Sequence, residues 1–231
     1  MPHSPKRITR KDLRQPDQFV TLTGKLIHLV QQHKTASIAS LAVILGAFLL
    51  WGSWDLYRGR QNRLAAQGYS RALSLFQEGR YREATEVFTQ VSKSGSSTYS
   101  RVASLYLANI YLAQDQPQKA LPVLQELARK KIGPEYLQQL ALLTLGYAEE
   151  KTGKYKEAST SFAAAARLSG PFRGDAMLGN ARANRSAGQD KEALSIYRDY
   201  LTSFAGAERS AEISLQVDEL EAKIGKAEKA K

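Results

Sequence analysis

Near-copies of one eleven-residue pattern constrain the fold of this chain more than any other feature. "EGRYREATEVF" begins at Glu78, "TGKYKEASTSF" at Thr152 and "AGQDKEALSIY" at Ala187. A weaker copy, "QDQPQKALPVL", begins at Gln114. Aligned on Ala84, Ala120, Ala158 and Ala193, the copies are spaced by 36, 38 and 35 residues. A period in this range marks an array of helical hairpins, in which one hairpin cannot bury its apolar face alone and stacked neighbours can.

Each copy reads as the turn and second helix of a hairpin. Gly79, Gly153 and Gly188 stand where a first helix must end in a left-handed residue. The aligned alanine lies where two helices cross closely. Four residues on, Phe88, Leu124, Phe162 or Tyr197 fills the space towards the neighbouring pair. Upstream lies the other helix, with Leu107, Ala108 and Tyr111 in the second copy and Leu142, Leu145, Gly146 and Ala148 in the third. Pro134 and Pro171 fall between pairs, and Pro122 is expected to bend its helix or loosen the first turn. Ile213, Val217, Leu220 and Ile224 continue a helical stripe after the last pair, which predicts a capping helix over 207–224 and a frayed tail over 225–231.

Before the repeats, Ala36–Trp54 reads "ASIASLAVILGAFLLWGSW", 19 residues without a charge. At 1.5 Å per residue this is about enough helix to cross a hydrocarbon core of ~30 Å. Trp51, Trp54 and Tyr57 cluster at one end, where amphipathic rings favour the interface. A tail of 34 residues precedes the stretch and no small-x-small site follows it, so an uncleaved transmembrane helix over 35–57 fits better than a signal peptide or a core helix. Ala39, Ala42 and Gly46 share one face of it, a pattern that suits close helix packing in lipid.

The tail 1–34 carries seven Lys and Arg against two acids, which favours a cytoplasmic amino terminus and a translocated carboxy-terminal domain. Within it, Phe19, Leu22, Leu26, Leu29 and Val30 recur at helical spacing. An amphipathic helix over 17–33 would lie along the interface; a partly ordered tail is the alternative.

The remaining chemistry is sparse. The chain has no cysteine, and residues 58–231 have no histidine. Disulfides, thiolate nucleophiles and Cys-ligated zinc are excluded. No phosphate loop or metal-ligand spacing occurs, and neither a cofactor nor a small-molecule substrate is expected. Glu149 and Glu150 are adjacent on a helix, so they point about 100° apart and read as solvated rather than as an acid/base pair. The net charge of +11 includes no Lys/Arg block interleaved with aromatics, which argues against nucleic acid. The expected function is non-enzymatic.

The repeat resembles the tetratricopeptide repeat, on Leu145, Gly146, Ala158, Phe162 and Pro171 in the third copy, Ala72, Ala84 and Phe88 in the first, and Ala181, Ala193 and Tyr197 in the fourth. The resemblance implies an all-α, right-handed solenoid over 58–224. It would hold about four helix pairs (65–98, 101–134, 139–172, 174–206) with a carboxy-terminal cap, preceded by the one membrane helix. It also implies a concave groove lined by the first helix of each pair. That groove would include Tyr69, Leu73, Phe76, Val102, Leu105, Asn109, Leu112, Leu140, Leu143, Tyr147, Leu178, Arg182 and Arg185, mostly apolar and basic at one end. The alternative is that many of these residues are core. Some relatives clamp a partner's terminal carboxylate with several Lys, Arg and Asn; only Asn109 fits that pattern here.

A basic tail, one membrane helix and four repeats together resemble the bacterial ancillary Sec-translocon subunit (YfgM-like) family. This second resemblance implies an inner-membrane protein with a periplasmic repeat domain. It implies the translocon, a periplasmic chaperone and exported client proteins as partners. An assembly adaptor for cell-division or cell-wall synthesis complexes is the alternative.

Overall fold

The computed structural model describes residues 34–94, 97–130 and 133–229. The tail and its predicted amphipathic stretch, 17–33, lie outside the described residues. Among the described residues all regular structure is helical: α1 (Lys34–Gln77), α2 (Tyr81–Lys93), α3 (Thr98–Ala113), α4 (Pro117–Lys130), α5 (Glu135–Lys151), α6 (Tyr155–Ala166), α7 (Arg173–Ser186), α8 (Asp190–Ser203) and α9 (Ser210–Lys229). The chain divides into two compact units between Gly59 and Arg60.

The first unit is described as the amino-terminal part of α1. Its large apolar side chains, from Ile38 through Phe48 and Trp51 to Trp54, are exposed. A run of this kind is unfavourable in water, and α1 carries a stretch long and apolar enough to cross a membrane. The predicted span 35–57 is helical throughout, but the helix does not stop at Tyr57. No proline follows, and Gly59 alone costs a helix only about 1 kcal/mol.

The second unit is the repeat array. Residues 60–77 of α1 pair with α2, α3 with α4, α5 with α6, and α7 with α8. Ala65, Ala72 and Leu75 of α1 share a core with Ala84, Phe88 and Val91 of α2; from α2 onward each helix packs on the next in sequence, and among the first helices α3 also touches α5 and α5 touches α7. The aligned alanines Ala84, Ala120, Ala158 and Ala193 are fully buried, as are Phe88, Leu124 and Phe162; Tyr197 is nearly so. Small and large residues therefore interlock as the spacing predicts. Pro122 sits inside α4 with its ring exposed, and the helix runs on past it to Lys130.

All four hairpins turn by one device. The last turn of each first helix closes with paired backbone bonds. Arg80, Gln116, Lys154 and Gln189 donate N–H to the carbonyls of Leu75, Tyr111, Glu149 and Asn184, at 2.8–2.9 Å. The residue before each donor is left-handed: Gly79 (φ 76°), Asp115 (φ 55°), Gly153 (φ 74°) and Gly188 (φ 78°). This is the Schellman arrangement, and the weak second copy keeps it with aspartate, one of the few non-glycine residues that tolerate that region. Open space surrounds a Cβ placed on Gly153, so only the backbone conformation opposes a side chain there. Gly153→Ala is expected to cost about 1–2 kcal/mol in chemical denaturation. Asp115→Gly is expected to change stability by less than about 1 kcal/mol, because relief at φ 55° offsets loss of the exposed Asp115–Lys151 pair.

The cap buries Ile213, Val217 and Leu220 against Tyr197 and Tyr200. Its helix runs on through residues 225–229, past the predicted end of the cap at 224. Glu228 in that turn pairs with Lys191 of α8 at 2.8 Å, and Lys223 pairs with Asp190 at 2.7 Å.

Candidate protein-binding groove

The first helices bring most of the predicted groove residues to two separate clefts. The first lies among α1, α3 and α5. Tyr69, Val102, Leu105, Asn109 and Leu140 line it as expected, together with Thr98, Tyr99, Tyr106, Pro134, Tyr136 and Leu137. None of these residues is charged. Tyr99 and Tyr106 fall on the face of α3 that carries Val102 and Asn109, at helical spacing that is present in the sequence but masked when only aliphatic positions are followed.

Tyr69 is the hub of this cleft. Its ring lies 5.9 Å from Tyr99, 6.0 Å from Tyr106 and 6.2 Å from Phe88, while Phe88 stacks on Tyr106 at 5.2 Å. Phe76 meets Tyr81 and Tyr106 edge-on. Such offset and edge contacts hold the rings in fixed orientations. Burial, with a further contribution from Tyr106, pushes the Tyr69 hydroxyl up to about 12, so it stays protonated at physiological pH. Tyr99 and Tyr136 remain exposed at the rim. The cleft thus presents ring faces, aliphatic side chains and a few neutral polar groups.

Three predicted groove leucines form the floor or core instead of the surface: Leu105 is 3% exposed, Leu143 5% and Leu178 3%. Leu112 packs half-buried against the core beneath α4 and α5, and Leu73 is also half-buried. Tyr147 packs edge-on against Phe162 at 5.1 Å, with the Arg182 guanidinium 5.7 Å above its ring.

The second cleft lies among α7, α8 and α9, where Leu178, Arg182 and Arg185 join Tyr197, Arg209, Glu212, Ile213, Gln216 and Lys223. The basic residues read from the sequence line this cleft, with their charges paired rather than free. Arg182 makes a bidentate pair with Glu150, at 2.6 and 2.7 Å. Arg185 bonds Gln216 and, at 3.3 Å, Glu219; Arg209 bonds Glu212 at 3.2 Å. The cations are matched by partners from the same helix or from helices one repeat away, which no local pattern discloses.

The expectation that Glu149 and Glu150 are solvated also fails. Glu150 holds Arg182, and Glu149 is 6% exposed and accepts a bond from Ser161 Oγ at 2.6 Å. Burial raises the Glu149 pKa above its ordinary 4.5, against the opposing effect of Ser161. The folded state therefore binds this proton more tightly than the unfolded state does. The stability Glu149 contributes is present below the ordinary value and falls as pH rises through the raised one. Glu149→Gln keeps an acceptor for Ser161 and removes the charge. It is expected to melt higher than the parent at neutral pH, with the difference shrinking towards pH 4.5.

The geometry agrees with the comparison to known families. Residues 28–222 match the model of the tetratricopeptide repeat-like domain. The chain belongs to that family. Its repeats superpose on solved tetratricopeptide arrays at low identity. One is a putative kinesin light chain with nearly identical repeats from Podosopora anserina, with a TM-score of 0.57, 19% identity, and 74% of this chain and 90% of that one covered. A second is YrrB, described as a tetratricopeptide protein with an unusual peptide-binding site, at 0.54 and 19%, covering 65% and 74%. A further solved structure with a similar fold is MamA AMB-1, at 0.54 and 17%, covering 71% and 91%. At these identities the likeness shows the fold alone. No curated protein matches the sequence.

Proposed function

We propose that the chain is a membrane-anchored, non-catalytic scaffold whose aromatic cleft holds segments of other proteins. The observation that carries this reading is the cleft itself. Three first helices from successive repeats contribute tyrosines, a proline and aliphatic side chains to one concavity, without a charge among them. Such a surface suits an extended, apolar stretch of an unfolded or partly folded chain. A peptide-binding site in the similarly folded YrrB supports the same use of the repeat.

The exposed apolar part of α1 would cross the bacterial inner membrane once, with the amino terminus cytoplasmic and the repeats periplasmic. Tethering keeps the cleft where exported chains emerge and raises its effective concentration there. The architecture supports a place beside the Sec translocon and a periplasmic chaperone, assisting exported proteins. Protease access in spheroplasts and inverted vesicles tests the topology. Residues 60–229 are expected to be cut from the periplasmic side only; cutting from the cytoplasmic side only would overturn the envelope assignment.

A further inference from the structure

A third cleft lies among α2, α3 and α4, lined by Ser92, Ser100, Arg101, Ser104, Glu126, Leu127 and Lys130. On α3 its residues cluster roughly 140° around the helix from those of the aromatic cleft, at about 100° per residue. The two concavities are therefore distinct, and α2 and α4 are second helices that take no part in the groove.

Arg101 is the unusual member. It is half-buried, its Nε is buried, and that Nε has no hydrogen-bond partner among the described residues. Elsewhere in the repeat array most half-buried or cleft-lining cations are matched: Arg182 by Glu150, Arg185 by Glu219, Lys223 by Asp190. The carboxylate inside this cleft does not serve Arg101, because Glu126 is taken by Lys130 at 2.5 Å and by Arg129 at 2.9 Å. A buried guanidinium N–H without an acceptor is costly, and the planar fork of arginine is shaped for the paired oxygens of a carboxylate or phosphate. Lys130, here paired with Glu126, lines the same cleft as a second cation that an incoming anion would share with that carboxylate. The hydroxyls of Ser92 and Ser104 currently donate to the Thr89 and Ser100 carbonyls and are free to rotate towards a ligand.

We propose that this cleft is a binding site for a single oxyanion, with Arg101 as its principal donor and Lys130 as its second cation. The shared chemistry is an oxygen pair carrying negative charge, from a carboxylate or from a phosphate. Full-length protein in neutral detergent is titrated with sodium phosphate, sodium acetate or sodium chloride at matched ionic strength, and thermal melting is followed. Phosphate or acetate is expected to raise the melting temperature beyond chloride in the parent. The apparent affinity is expected to fall about tenfold or more in Arg101→Gln, the loss of one charge-assisted donor, and to fall less in Lys130→Gln. Lys156→Gln, at an exposed cation on α6 outside the cleft, is expected to respond like the parent. A response to phosphate alone assigns a phosphate ligand, and a response to acetate alone a carboxylate; either supports the site. Melting equal in all three salts, or an anion response retained in Arg101→Gln, overturns it. Should Arg101→Gln fold poorly, undiminished response in Lys130→Gln together with full response in folded Arg101→Lys overturns the site equally, because a lysine cannot make the bidentate contact.

Discussion

Phe162→Ala is expected to lower the unfolding free energy of the repeat domain by about 3–5 kcal/mol, the range for emptying a fully buried aromatic site. The ring is fully buried and is slotted between two glycines. A Cβ on Gly146 of α5 would come within 2.6 Å of it, and one on Gly179 of α7 within 2.7 Å. The two first helices approach closely because neither carries a side chain where the ring passes. The same slot makes Gly179→Ala unfavourable by about 1–3 kcal/mol through overpacking. In a Phe162→Ala background that cost is expected to vanish, so the pair is strongly non-additive. Denaturant unfolding of the two single variants and the double variant measures this directly. Additive effects would show that the ring does not set the spacing of α5 and α7.

Gln139→Leu is expected to cost about 2–5 kcal/mol, although leucine is of similar size. Gln139 is fully buried on α5. Its Nε2 donates to the carbonyls of Ala165 at 3.2 Å and Leu168 at 3.0 Å, and its Oε1 accepts from the Phe172 N–H at 3.1 Å. One side chain thereby satisfies both the end of α6 and the turn into α7. Replacing it strands the Leu168 carbonyl and the Phe172 N–H near the core, at about 1–3 kcal/mol for each that water cannot reach, while the Ala165 carbonyl keeps its backbone donors. Gln125→Leu, on the exposed side of α4, is the control and is expected to stay within about 0.5 kcal/mol of the parent. If the two leucine variants unfold alike, the bridging role assigned to Gln139 is wrong.

These residues show what the sequence discloses and what it hides. The alanines, the aromatic four residues later and the turn glycines repeat with a fixed period, and local spacing is enough to put them in their places in the fold. Asp115 holds the turn of the second copy without looking like the others, because an aspartate with φ 55° does the work of a glycine. The roles of Gln139, Glu149 and Glu150 are not legible locally, because their partners lie 12 to 33 residues away. A polar residue on a helix looks the same in sequence whether it faces water or a carbonyl of the next repeat.

The candidate groove is legible in part for the same reason. Sequence spacing puts Tyr69, Val102, Asn109 and Leu140 on the faces that line the aromatic cleft, since first helices share a side in any stacked array. It does not say which residues on those faces are covered. Leu105, Leu143 and Leu178 go to the floor or core, and Tyr99, Tyr106 and Tyr136 line the cleft. The depth at which each first helix sits is set by packing between hairpins, through contacts such as the slot at Phe162.

The most direct measurement is photo-crosslinking in intact membranes from single photoreactive residues placed at Tyr99, Tyr136 and, outside the cleft, Tyr155. The account expects adducts to other polypeptides from Tyr99 and Tyr136, with little from Tyr155. Equal labelling from all three positions, or none from the cleft, would contradict it.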